Sequence, residues 1–91
     1  MVDYSKLPSH MQGAAKRYIE KGIRPGHFLT AIIENNLFLA VSHADDTNVK
    51  ELKTWVQFFY NEAPGNCWKT KEAMNAWIEQ GGLHKGLREV A

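Results

Sequence analysis

Apolar residues recur along this chain at helical spacing, in segments parted by clusters of glycine, proline and asparagine. In residues 8–21, Met11, Ala14, Ala15, Tyr18 and Ile19 fall on one stripe. Pro8 suits a first helical turn, and Gly22 suits a C-cap, where positive φ costs glycine little. Gly13, inside this segment, costs about 1 kcal/mol relative to alanine and either allows a close helix approach or is an unpunished defect. Arg24-Pro25-Gly26 reads as a turn, and a second helix starts near His27 with Leu29, Ile32 and Ile33 inward. Asn35-Asn36 predicts a break and a short third helix over 37–42, because asparagine prefers caps to helix interiors. The alternative is one helix through both segments, since Leu37, Ala40 and Val41 continue the period. A fourth helix spans 48–63 or starts a turn earlier, with Val49, Leu52, Val56, Phe59, Tyr60 and Ala63 as its core stripe. Asn48 with Glu51 fits a capping box, and Asp45 or Asp46 are the alternative caps. Pro64-Gly65-Asn66 stops it. A fifth helix covers 71–80, capped by Thr70, with Ala73, Met74, Trp77 and Ile78 inward and Gly81-Gly82 at its end. Nothing reads as a strand. The pattern predicts an all-α, compact bundle of about five short helices in a single domain over 1–83, with a polar C-terminal tail at 84–91.

Composition adds bounds. Ninety-one residues make one domain, and hydrophobic content of 44% is enough for a globular core. A chain this short buries only roughly 60–65% of its unfolded surface, so self-association into a homo-oligomer would complete a thin core. A net charge of +1 weighs against a general nucleic-acid binder. The single cysteine, Cys67, rules out an intrachain disulfide and suits a reducing compartment. No apolar run approaches the ~18 residues of a membrane span, and MVDYSKLPSH lacks the apolar core of a secretion signal. The expectation is a protein acting inside the cell that makes it.

Candidate chemistry centres on residues 16–28. Lys16, Arg17, Lys21 and Arg24 gather four cations around Tyr18 and Phe28, and the turn delivers a helix N-terminus at His27. Arg holds phosphate bidentately, helix N–H groups attract anions, and aromatic rings stack on bases. The competing reading is a solvated face, in which Arg17 pairs with Glu20 and Lys21 answers the helix dipole. A second candidate is Tyr60-Asn61-Glu62-Ala63-Pro64 with Trp68, where an aromatic clamp and an amide would read a planar ligand. Its plain alternative has Trp68 closing the core and Asn61 capping a helix. Together Arg17, Tyr18, Lys21, Arg24, His27, Phe28, Tyr60, Asn61 and Trp68 form the predicted ligand-binding set.

Other chemistries fit less well. Asp45-Asp46-Thr47-Asn48 lacks the spacing of a calcium loop and reads as a helix cap. His10, His27, His43, His84 and Cys67 have no zinc-ligand spacing, so no metal is expected. No nucleophile and base can be paired from order alone, and Cys67 reads as a small buried residue. The second helix is too apolar to read DNA as a recognition helix.

Six stretches resemble a family of short accessory proteins of tailed phages and prophages. They are LPSHM at 7–11, RYIEKGIRPGHFLTA at 17–31, NNL at 35–37, ADDTN at 44–48, YNEAPGNCW at 60–68 and WIEQGGL at 77–83. Two departures stand out: Arg24-Pro25-Gly26 where the family has Pro-Pro-Gly, and Trp68-Lys69-Thr70-Lys71 where it has Trp-Gly-Ser-Pro. The resemblance implies a phage accessory protein in the cytoplasm of the host bacterium, and by itself carries no activity. By analogy with phage sponge proteins, the basic-aromatic cluster suggests a counter-defence protein that sequesters a small anionic ligand, a nucleotide immune signal, without turnover or cofactor. The alternatives are a protein–protein inhibitor or adaptor acting on a host enzyme or assembly, and a small DNA-binding regulator.

Overall fold

The computed structural model describes residues 2–83, so the predicted tail, with His84, lies outside the described residues. A single 3-10 turn, Ser9–Met11, leads into six α-helices: α1 Gln12–Lys21, α2 His27–Ile33, α3 Leu37–His43, α4 Asp46–Lys50, α5 Leu52–Asn61 and α6 Lys71–Gln80. No strand occurs among the described residues, and the all-α bundle follows as the periodicity predicts. No helix among them is long and apolar enough to cross a membrane.

Local chemistry sets most of the boundaries. Gly22 ends α1 at φ 69°, with its N–H donating to the Tyr18 carbonyl. Asn35 turns the chain at φ 64°, a region asparagine tolerates, and the Asn36 side chain then caps α3 by accepting from Leu39 N–H at 3.1 Å. Thr70 caps α6 by accepting from Ala73 N–H. Residues 27–42 are thus two helices, folded back on each other.

Three expectations need correction. Pro8 precedes a 3-10 turn, and the α-helix starts only at Gln12. The segment 48–63 is two helices, broken at Glu51, and of the caps considered for it the alternative, Asp45, is the one used, accepting from Asn48 N–H at 2.7 Å. Asn48 itself is buried, where its amide oxygen accepts the Trp55 indole N–H at 3.2 Å. Finally, the inward stripe of α5 is Trp55, Phe58 and Phe59, while Val56 and Tyr60 face out, as does Val49 on α4. The phase of α5 is decided by area: one tryptophan and two phenylalanines outweigh a valine and a tyrosine with a hydroxyl to satisfy.

Trp55 sits at the centre of the core. Phe28 and Phe58 meet it edge-on, and Phe59 stacks at 6.4 Å. At the other side, α1 and α6 meet end to end. The Trp77 indole N–H is shared between the Tyr18 and Ile19 carbonyls at 3.1 Å, and Leu83 N–H donates to Ile19. Gly22 and Gly82 stand back to back there, both at positive φ. A β-carbon on Gly82 would lie 2.7 Å from backbone atoms of Glu20, Lys21 and Gly22.

Gly82→Ala should therefore lose roughly 2–5 kcal/mol, the sum of a left-handed alanine and a forced backbone shift. Gly65→Ala, with nothing within 4 Å, should stay within about 0.5 kcal/mol in the same urea titration. A second prediction concerns acid. The Asn48 N–H and then the His10 ring, 2.9 Å away, hold the Asp45 carboxyl below the usual carboxylate range. A depressed folded value stabilises the protein above that range and stops doing so as pH falls through it. Asp45→Asn keeps the capping acceptor, so below about pH 4 the wild-type melting temperature should fall more steeply than that of the variant.

Candidate functional site

The predicted ligand-binding residues part company in the fold. Tyr18 has 0% exposure and its hydroxyl donates to the Cys67 carbonyl at 2.6 Å. Burial pushes its phenol well above the ordinary range. Phe28 is buried against the edge of Trp55. Neither ring offers a face to a ligand, which corrects their assignment as stacking residues: both lie on the apolar stripe of their helix, and the core takes them.

The cations stay on the surface. The Arg17 guanidinium lies back along α1 over Gly13, 3.1 Å from where a β-carbon would stand, so a side chain of its own helix, and no second helix, approaches that glycine. Arg24 donates to the Asn75 side chain at 3.1 Å and so ties the turn to α6. Lys16 and Lys21 are exposed on α1. His27 is exposed, its ring stacked on His43 at 5.2 Å, where the start of α2 meets the end of α3. Asn61 lines a separate small cavity of about 70 Å³ with Asp3, Lys6, Phe58 and Glu62. Tyr60 is 77% exposed at the end of α5. Trp68 is half-buried, tilted on Phe59 at 6.0 Å, with the Lys69 ammonium 5.5 Å above its ring.

Of the nine predicted residues, only Trp68 lines an apolar cavity beside α3. This is a groove of about 140 Å³ between the α2–α3 hairpin and α5. Ala31, Ile32, Leu37 and Ala40 form one wall, Leu52, Val56 and Phe59 the other, and Asn35, Asn36 and Trp68 complete the lining. Two local devices shape it. The Asn35-Asn36 turn folds α3 back beside α2. The loop before α6 is pinned by Lys69, whose backbone at φ 97° lets its N–H donate to the Ile33 carbonyl at 2.9 Å and holds Trp68 at the groove. Left-handed geometry is costly for lysine, and the hydrogen bond with the ring–ammonium contact offsets that cost.

Leu37 and Val56 of the lining are exposed, and α3 carries further exposed apolar side chains beyond the groove. Phe38 is 87% exposed, Leu37 65% and Val56 59%, with Val41 exposed beside them. The signal for this face was present in Leu37-Phe38-Leu39-Ala40-Val41, five consecutive apolar residues in a seven-residue helix. Such a helix cannot turn every side inward unless it is surrounded. Only Ala40 of the five is buried. The lining holds two amides and no titratable side chain, so what this surface offers a partner is apolar area and shape.

Among the described residues, no three His, Cys, Asp or Glu side chains gather as metal ligands. Cys67 is buried, and burial pushes its thiol up to about 12, far from the reactive thiolate. Comparison with models of known protein families, with curated proteins and with solved structures finds no match for this chain.

Tyr18→Phe tests the reassignment of that residue. It leaves the Cys67 carbonyl without its donor inside the core, so it should cost about 1–3 kcal/mol of folding stability, read from the denaturation midpoint. Were Tyr18 a surface contact, the midpoint would not move.

Proposed function

We propose that this chain is a binding protein without turnover, which works by docking a protein surface on the groove and ridge formed by α2, α3 and α5. The observation that carries this reading is the exposed apolar side of α3, with Leu37, Phe38 and Val41, next to an apolar cavity that Leu37 and Val56 line. Monomeric proteins seldom keep such patches in water, and large ones mark interaction sites. Burying Phe38 alone would contribute roughly 1.5–3 kcal/mol to association.

Sequestration of a nucleotide, the reading suggested by the basic turn, has weaker support. Two of its stacking rings, Tyr18 and Phe28, are core residues, and Arg24 already donates to Asn75. The groove that would take a planar ring is lined by none of Arg17, Lys21, Arg24 or His27. A protein adaptor or inhibitor uses the surface that is exposed. The motif resemblance to phage accessory proteins is compatible with this role and by itself carries no activity.

A photo-crosslinking amino acid placed at single positions in the full chain, expressed in bacteria, tests the proposal. Positions 38 and 56 should yield covalent protein adducts of defined mass. Control positions 17 and 72, exposed on α1 and α6, should give only background. Adducts at the control positions with none at 38 or 56 would move the docking surface elsewhere and end this reading.

A further inference from the structure

We infer that the groove between the α2–α3 hairpin and α5 receives one anchoring side chain of the partner, a tyrosine, with its ring in the apolar lining and its hydroxyl on the amides of Asn35 and Asn36. This rests on the docking reading and names the group that the groove selects.

The backbone around the groove is strained at two places. Among the described residues, Asn35 at φ 64° and Lys69 at φ 97° are the two non-glycine positions with positive φ. Both stand at the groove: Asn35 lines it, and Lys69 follows Trp68, which lines it. They are also tied together, because Lys69 N–H donates to the carbonyl of Ile33, just ahead of Asn35. Backbone of this kind persists only where its surroundings over-determine it, and it gathers at ligand clamps. Walls fixed in advance need no ordering when a partner arrives, which favours a tight seat.

The lining selects a neutral ring. It has no ionisable side chain, so a carboxylate or ammonium would leave water with no opposite charge to meet it. The volume, about 140 Å³, suits one ring, since an apolar cavity of roughly 150 Å³ takes up benzene from water. Phe59 and the half-buried Trp68 present aromatic carbon to it. Leu37 and Val56 of the lining are exposed, so the groove opens to the surface, as it must for a ring still attached to a partner's backbone.

The two amides select a hydroxyl on that ring. Asn35 and Asn36 are adjacent, in the turn where the hairpin reverses, so polarity is confined to one end of the lining. The Asn36 oxygen is taken by the cap of α3, which leaves its NH2 group to donate. The Asn35 side chain makes no hydrogen bond among the described residues, which leaves its oxygen to accept. A partner that covers the groove takes water from both amides, so its anchor must bond them or lose affinity. A phenol hydroxyl both donates and accepts. Tyrosine, an apolar body with one polar tip, is also among the residues that most often anchor interfaces in pockets.

Proton–nitrogen correlation NMR on the full chain, titrated with p-cresol as the free tyrosine side chain, tests the inference. The indole N–H groups of Trp55 and Trp77 are bonded inside the core, so their signals should stay in place and report an intact fold. The Trp68 signal should move and saturate with a Kd of roughly 1 mM, ordinary for so small a fragment. Toluene, the same ring without the hydroxyl, should bind about fivefold more weakly. Val56→Phe, which puts a larger side chain at the mouth, should weaken p-cresol roughly tenfold. Asn35→Gly with Asn36→Ser removes both amides while keeping the left-handed turn and a capping oxygen; it should bring p-cresol down to the affinity of toluene. Three outcomes overturn the inference: a Trp68 signal that p-cresol leaves in place, binding indifferent to both variants, or toluene binding as well as p-cresol. Any of these together with crosslinks at 38 and 56 would leave the docking face standing with a different anchor. Binding of p-cresol without crosslinks at either position would overturn the partner and leave a site for a small phenol.

Discussion

The hydrogen bond from the Tyr18 hydroxyl to the Cys67 carbonyl, made entirely inside the protein, is the contact around which the rest is arranged. Its 2.6 Å length joins α1 to the loop that precedes α6. The backbone carbonyl of the same residue receives the Trp77 indole and the Gly22 N–H, which fastens α6 to the end of α1. A buried hydroxyl or carbonyl without a partner costs about 1–3 kcal/mol, a large share of the margin of a 91-residue domain. The loop is therefore held against the core. One residue further on, Trp68 is set at the end of the groove, and Lys69 accepts a left-handed backbone to reach Ile33.

The groove is a consequence of how a small chain shares out its large rings. Trp55, Phe58 and Phe59 claim the inward face of α5, and Phe28 closes on Trp55 from α2. With that face spent, Val56 and Tyr60 have nowhere to go but outward. The α3 helix, built almost wholly of apolar residues, has only Ala40 small enough to seat against its neighbours. Its larger side chains are left at the rim. Exposed apolar side chains and an apolar cavity thus arise together, from one competition for core volume.

This arrangement separates two kinds of binding that composition alone leaves tied. Phosphate recognition needs cations and N–H groups converging on one point, and here the cations point to different neighbours: Arg17 lies along its own helix and Arg24 reaches to α6. Apolar docking needs only area, shape and a lining free of charge, and these are met together between α3 and α5.

The sequence by itself determined the helices and most of their ends. Caps at Gly22, Asn36, Thr70 and Gly81 are local chemistry, in which a side chain or a glycine serves backbone groups within four residues, so they are legible in order. Asn48 shows the limit: an amide fit to cap a helix was used instead to hold an indole seven residues away. Tyr18 shows it again, since its place in the buried stripe and its place among the cations were both written in the sequence, and only packing chose between them. The phase of α5, the break at Glu51 and the meeting of residues 31–40 with 52–68 across the groove belong to the tertiary structure alone. They depend on which side chains win the limited interior, and that contest is settled between segments distant in the chain.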